Sequence, residues 1–132
     1  MRTTTNNPMF LIRKIIAEIF FQENIDKVLF SSKKDYSTLI RLYIGTSIKY
    51  ELESEENFAD VLHTLKRMGG VEKGQFYDAQ EGFMLIQNGA DVRLASFRTL
   101  PFGDGRMNIE IRVKKLDVIE ISLADKQKSL IA

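Results

Sequence analysis

Few side chains in this chain could carry out chemistry, and most of those are guanidiniums and carboxylates. There is one histidine, His63, and no cysteine. A thiolate nucleophile, a cysteine zinc site and a disulfide framework are therefore excluded, and His63 has no second imidazole with which to share a metal. The sequence contains no GxxxxGKS phosphate loop, no GxSxG and no HExxH. Acidic pairs such as Glu51 with Glu53 read as solvent-facing charges. No catalytic residue and no metal ligand is assigned. What remains is a pair of arginines, Arg93 and Arg112, each inside a run that alternates apolar with polar residues. One reading makes them functional; the other makes them exposed strand positions paired with neighbours such as Asp91 and Glu110.

The elements that would hold these arginines lie between Phe83 and Val113. Asn88-Gly89 between two strand-like runs predicts a type I′ hairpin joining Phe83–Gln87 to Asp91–Phe97. Pro101 and the glycines at 103 and 105 then break the ladder before Met107–Val113 returns. Upstream, Asn7-Pro8 predicts the start of a helix running to about Glu23. Met9, Ile12, Ile15, Ile16, Ile19 and Phe20 follow helical spacing, but Phe10, Leu11 and Phe21 widen the apolar stripe. That helix either packs across a sheet with a generous core face or uses Phe10 and Phe21 as a patch for another subunit.

A strand over Lys27–Ser31 and a polar turn follow, then a hairpin of Thr38–Ile44 with Ser47–Leu52 around Gly45-Thr46, where glycine first suits type II′. The face carrying Ile40, Leu42 and Ile44 should be buried. Ser54 is the expected cap of a second amphipathic helix, Glu55–Met68, ended by Gly69-Gly70. Val71–Ala79 reads as loop or irregular strand, and Ser122 could cap a last short helix. The expected fold is α+β, two amphipathic helices on a mainly antiparallel sheet, because hairpin connections dominate. Residues 8–116 form the expected single domain, with 1–7 a flexible start and 117–132 a linker or short helix.

At 132 residues the chain can bury one core without a staple. Nineteen basic against eighteen acidic residues leave a formal charge of +1, which argues against a nucleic-acid or anionic-lipid footprint. Arg13-Lys14 and Glu18 interrupt the first apolar run, so neither a signal peptide nor a membrane span is expected, and a cytoplasmic location is.

The order and wording of these pieces resemble the domain that precedes the motor in the secretion ATPase superfamily, the ATPases of type II secretion, type IV pilus assembly and competence. Arg41–Ile48, RLYIGTSI, stands where that family reads RFRIDGVL; Arg67–Val71 stands at the helix end near KxMAGLD. Gln80–Phe83 is similar to QDGR, Asp91–Ser96 to VDLRVS, Thr99-Leu100-Pro101 with Gly103-Asp104 to TLPTxxGE, and Ile109–Val113 to VVLRIL. The likeness spans roughly residues 10 to 125. Gly45 replaces the family's aspartate, two extra residues sit around Phe97-Arg98, and the SDIHIE strand appears as Lys27–Ser31 without its histidine.

The resemblance implies a PAS-like module without catalysis of its own. It implies partners as well: a hexameric ATPase motor, its neighbouring subunits, and secretion or pilus platform proteins. Arg93 and Arg112, with Arg98 a third candidate, would approach nucleotide held with magnesium by a motor absent from this segment, and Leu116–Ile131 would be the linker toward it. This chain itself would carry no cofactor. The alternatives are a free-standing PAS-like sensor with an apolar pocket of roughly 300 Å³ or more between the second helix and the sheet, and a nucleic-acid surface of Arg93, Phe97, Arg98 and Phe102.

Overall fold

A computed structural model describes residues 7–22, 24–69, 80–101 and 107–117. The chain runs α1 (Pro8–Phe21), β1 (Lys27–Ser32), β2 (Ser37–Ile44), β3 (Ser47–Asn57), α2 (Phe58–Met68), β4 (Glu81–Asn88), β5 (Asp91–Pro101) and β6 (Met107–Lys115). All six strands belong to one sheet ordered β3-β2-β1-β6-β5-β4, and the pairs between described neighbours are antiparallel. The α+β expectation therefore holds: two helices pack on a six-stranded antiparallel sheet. The chain forms a helix and a three-strand meander twice, and the second meander closes on the first through β6 and β1.

Local chemistry explains where each element begins. The Asn7 side chain accepts from Met9 N–H at 3.0 Å, and Pro8 occupies the first turn. The second helix starts three residues later than its sequence suggests. Ser54, Glu55 and Glu56 belong to β3, where Ser54 pairs with Thr38 and Asn57 with Ser37. Asn57, not Ser54, is the cap: its side-chain Oδ1 accepts from Ala59 N–H at 2.9 Å and Asp60 N–H at 3.4 Å. Ser54 instead accepts from Glu56 N–H at 3.1 Å, while Thr38 Oγ1 donates to the Glu56 carbonyl. Partners on β2 thus hold the acidic run extended, a choice that local helix preference cannot anticipate.

Both described hairpins with two-residue loops use one device. Ile44 pairs with Ser47 around Gly45-Thr46, and Asn88 pairs with Asp91 around Gly89-Ala90. Gly45 and Gly89 have φ of +61° and +62°, and neither Thr46 nor Ala90 is left-handed. The second loop is therefore shifted one residue from the expected Asn88-Gly89, and its single left-handed residue in first position fits type II′ rather than type I′. The turn between β1 and β2 solves its geometry differently: Tyr36 takes φ +67°, and Asp35 accepts from Ser37 N–H at 3.0 Å.

The core lies between the helices and one sheet face. Ile12, Ile15 and Ile19 of α1 and Leu62 and Leu65 of α2 meet Val28, Phe30, Ile40, Leu42, Ile109 and Ile111. Ile40 and Leu42 are fully buried, as their alternation predicts. Gly69 caps the end of α2 with the Phe97 ring against it; a methyl group there would overlap that ring. The expected features at Phe76-Tyr77, Gly70, Phe102–Gly105 and Ser122, and nearly all of the expected linker, lie outside the described residues. Among the described residues no helix is long and apolar enough to cross a membrane.

Candidate functional site

Strand parity decides where the three arginines go. Along β5, Arg93, Ala95, Phe97 and Thr99 are buried, while Ser96 and Arg98 between them are exposed. Side chains two apart share a face, so Arg93 points toward the helices and Arg98 away from them. The register carries this parity across the sheet: Arg98 lies opposite Glu110, and Ser96 opposite Arg112. Arg98, Glu110 and Arg112 therefore share the second face.

Arg93 is held within the protein. Its Nη2 lies 2.8 Å from Asp91 Oδ2 and its Nε donates to Asp91 Oδ1 at 3.1 Å, a two-point contact with one carboxylate. Nη1 reaches the Ile19 carbonyl at the limit of hydrogen bonding, 3.5 Å. The guanidinium also sits 4.7 Å from the centre of the Phe20 ring. Only 8% of its side chain is exposed. The expectation of an outward Arg93 is corrected here, because its strand position lies beneath α1. The paired reading is right about Asp91 as partner, but the position it called exposed is buried. The Arg93 hydrogen bonds, foremost, together with its charge, hold the Asp91 carboxyl below the usual carboxylate range.

The second face holds a different arrangement. Glu110 Oε1 accepts from Arg98 Nε at 3.2 Å and lies 3.4 Å from Arg112 Nε. One carboxylate oxygen, on a side chain only 12% exposed, thus sits between two guanidiniums whose side chains are 52% and 67% exposed. These three residues, with Glu81, Gly82, Phe83, Ser96 and Phe97, line a groove of about 450 Å³ on β4, β5 and β6. Glu81 faces Arg98 from β4, and Lys27 faces Arg112 from β1. Lys27 Nζ in turn lies 4.4 Å from the centre of the Tyr43 ring. The groove sets two guanidiniums beside two carboxylates, Glu81 and Glu110, against an aromatic wall; Glu110 orients the two forked donors and partly neutralises them.

Sequence reasoning found Arg98 and Arg112 but missed Glu110 as their shared centre, and missed Phe83 and Ser96 as walls. A period-two reading of β5 and β6 places Arg98 and Arg112 on one face only if the register between those two strands is known. The proposed nucleic-acid surface does not assemble: Arg93 and Phe97 lie on the helix side and Arg98 on the other, while Phe102 is outside the described residues.

The expected subunit patch is on the surface. Phe10 is 65% exposed and Phe21 78% exposed, and eleven residues of helix bring them to nearly the same side of α1. Arg13, Lys14 and Ala17 lie exposed between them. His63 is exposed on α2, as its position off the apolar stripe predicts. The apolar space between helices and sheet lined by Ile15, Leu65, Met84 and Ile111 amounts to about 10 Å³. No protein-family model matches this chain, and no curated protein matches it.

Proposed function

We propose that the chain is a non-catalytic interaction module whose second sheet face receives an anionic group from a partner protein. The observation that carries this reading is the presentation of Arg98 and Arg112 from adjacent strands around one carboxylate, in a groove with room for a phosphate or a carboxylate side chain. The resemblance to the pre-motor domain of secretion and pilus ATPases suggests the source of that group: nucleotide held by a neighbouring cytoplasmic motor, approached by guanidiniums from outside its own subunit. In that arrangement Arg98 and Arg112 face the motor, and Arg93 anchors the strand that carries Arg98. The exposed Phe10 and Phe21 would serve a second contact within the same assembly.

The test is to add the chain to a secretion or pilus ATPase motor of its source organism and measure ATP hydrolysis. Stimulation that is lost with Arg98→Gln and Arg112→Gln, and kept with Lys34→Gln, at an exposed turn away from both surfaces, supports the reading. No change in hydrolysis with the unsubstituted chain removes the motor as partner, and equal stimulation by the arginine variants removes the groove. The sensor alternative needs a ligand-sized apolar pocket; the apolar space beneath α1 and Leu65 amounts to about 10 Å³.

A further inference from the structure

The sheet has two edges, and they are built differently. β3 carries Glu51, Glu53, Glu55 and Glu56, and its pairing with β2 shifts register at Ser37/Thr38 and at Leu42/Tyr43. Charges and bulges of this kind deter a second strand from adding to an edge. β4 has neither. Its pairing with β5 is unbroken from Glu81 to Asn88, and no charged residue occurs from Gly82 to Ala90. Proline, bulge and inward charge are all absent from this strand. Among the described residues nothing pairs with its outer side.

The turn shows which backbone groups face outward. A two-residue loop closes on a hydrogen-bonded pair, here Asn88 with Asp91, and the Thr99 N–H donates to the Gln80 carbonyl at the other end. Antiparallel pairs alternate, so residues 82, 84 and 86 bond to β5, while the N–H and C=O groups of Phe83, Leu85 and Gln87 point away from the sheet. Those three side chains lie on the same face as the groove, and Phe83 is 42% exposed.

We infer that β4 is a pairing edge for β4 of a second copy of this chain, giving an antiparallel, two-fold dimer with one continuous sheet. Charge decides the occupant. Centring the two-fold on Leu85 sets Phe83 opposite Gln87 of the second copy on both sides of the axis, and carries Glu81 to Gly89, away from any like charge. Pairing β3 with β3 would instead oppose glutamates, and like charges directly opposite are destabilising. Pairing β4 with β3 of another copy is a head-to-tail contact that leaves an edge at each end and grows an open array, whereas β4 with β4 closes and leaves only the acidic, bulged edges outside. The inference does not depend on the role proposed for the arginines, since it rests on the outward backbone groups of β4, although Gly82 and Phe83 also line the groove.

The test is sedimentation of the whole chain across a dilution series, with amide hydrogen exchange at each concentration. The expected result is a reversible dimer in which the Phe83, Leu85 and Gln87 amides are protected and become unprotected on dilution, while those of Met84 and Ile86 stay protected. The double variant Phe83→Lys/Gln87→Lys opposes two cations twice and should weaken dimerisation by about tenfold or more. Phe83→Lys/Gln87→Glu sets opposite charges across the same positions and should restore it. A wild-type monomer at every concentration overturns the inference. So does open-ended growth, or a dimer whose Phe83, Leu85 and Gln87 amides exchange as fast as in the monomer. Hydrogen exchange on the unsubstituted chain decides the matter even where a variant fails to fold.

Discussion

Arg93 and Arg112 are the same residue type on neighbouring strands of one sheet, and they live on opposite faces. Arg93 lies under α1, bound to Asp91 at two points and covered by the Phe20 ring. Arg112 projects from the other face and touches Glu110 at 3.4 Å with two-thirds of its side chain in solvent. The difference is not in the arginine but in what the fold stacks above each position. A guanidinium beneath a helix stabilises by keeping its carboxylate; one on the other face is available to a visitor and contributes little to folding.

The contrast breaks most visibly where the helix-covered face is hollowed out. Ile109→Ala, at a fully buried site on that face, is expected to cost about 3 to 4 kcal/mol in chemical denaturation. A loss below about 1 kcal/mol would mean the helices do not seal the core as described. Gly69→Ala comes next, at about 1 to 3 kcal/mol, because its methyl group must displace the Phe97 ring. Combining it with Phe97→Leu should recover part of the loss, and strict additivity of the two substitutions would refute that contact.

Asp91→Asn is expected to cost about 2 kcal/mol, because it leaves the Arg93 guanidinium without its paired charge. The same pair sets a pH dependence. The Asp91 carboxyl is held below its unfolded value, so its contribution is fully present above the ordinary aspartate range, near 3.9, and is lost as pH falls through the lower folded value. Acid titration of the unfolding free energy should therefore show a smaller drop below about pH 4 in Asp91→Asn than in the wild type. Equal acid slopes would show that the pair is not formed in solution.

The smallest effect is expected on the other face. Arg112→Ala should change stability by less than about 1 kcal/mol, since its contact is exposed. A loss matching that of Asp91→Asn would erase the distinction between the faces. Between these limits, Asn57→Ala should cost about 1 kcal/mol, since it removes an acceptor from two free amides of α2. A larger cost for Ser54→Ala would return the helix start to its expected position.

Most of the fold was legible from local patterns. The apolar spacing of Ile12, Ile15 and Ile19, the alternation of Ile40 and Leu42, and glycines at Gly45 and Gly89 each specify an element through a property of the residue itself. Errors came where two local signals competed. Ser54 with Glu55-Glu56 is a good helix start, yet Thr38 and Ser37 on β2 hold that run extended. Asn88-Gly89 suits a turn, yet the ladder to Asp91 claims Asn88 as its closing pair and moves the loop by one residue. The site was half legible: Arg98, Arg112 and a pairing Glu110 stood out, but not that one carboxylate oxygen meets both arginines.

By itself, then, the sequence determined the helices, the strands and the two turn glycines, because dihedral preference and hydrophobic period act over a few residues. Tertiary structure alone decided that β6 closes on β1, that Arg93 faces inward while Arg98 and Arg112 meet at Glu110, and that β4 is an outer strand of the sheet. The physical reason is register. Shifting a strand by one residue exchanges its two faces, and only contacts between distant segments fix that choice.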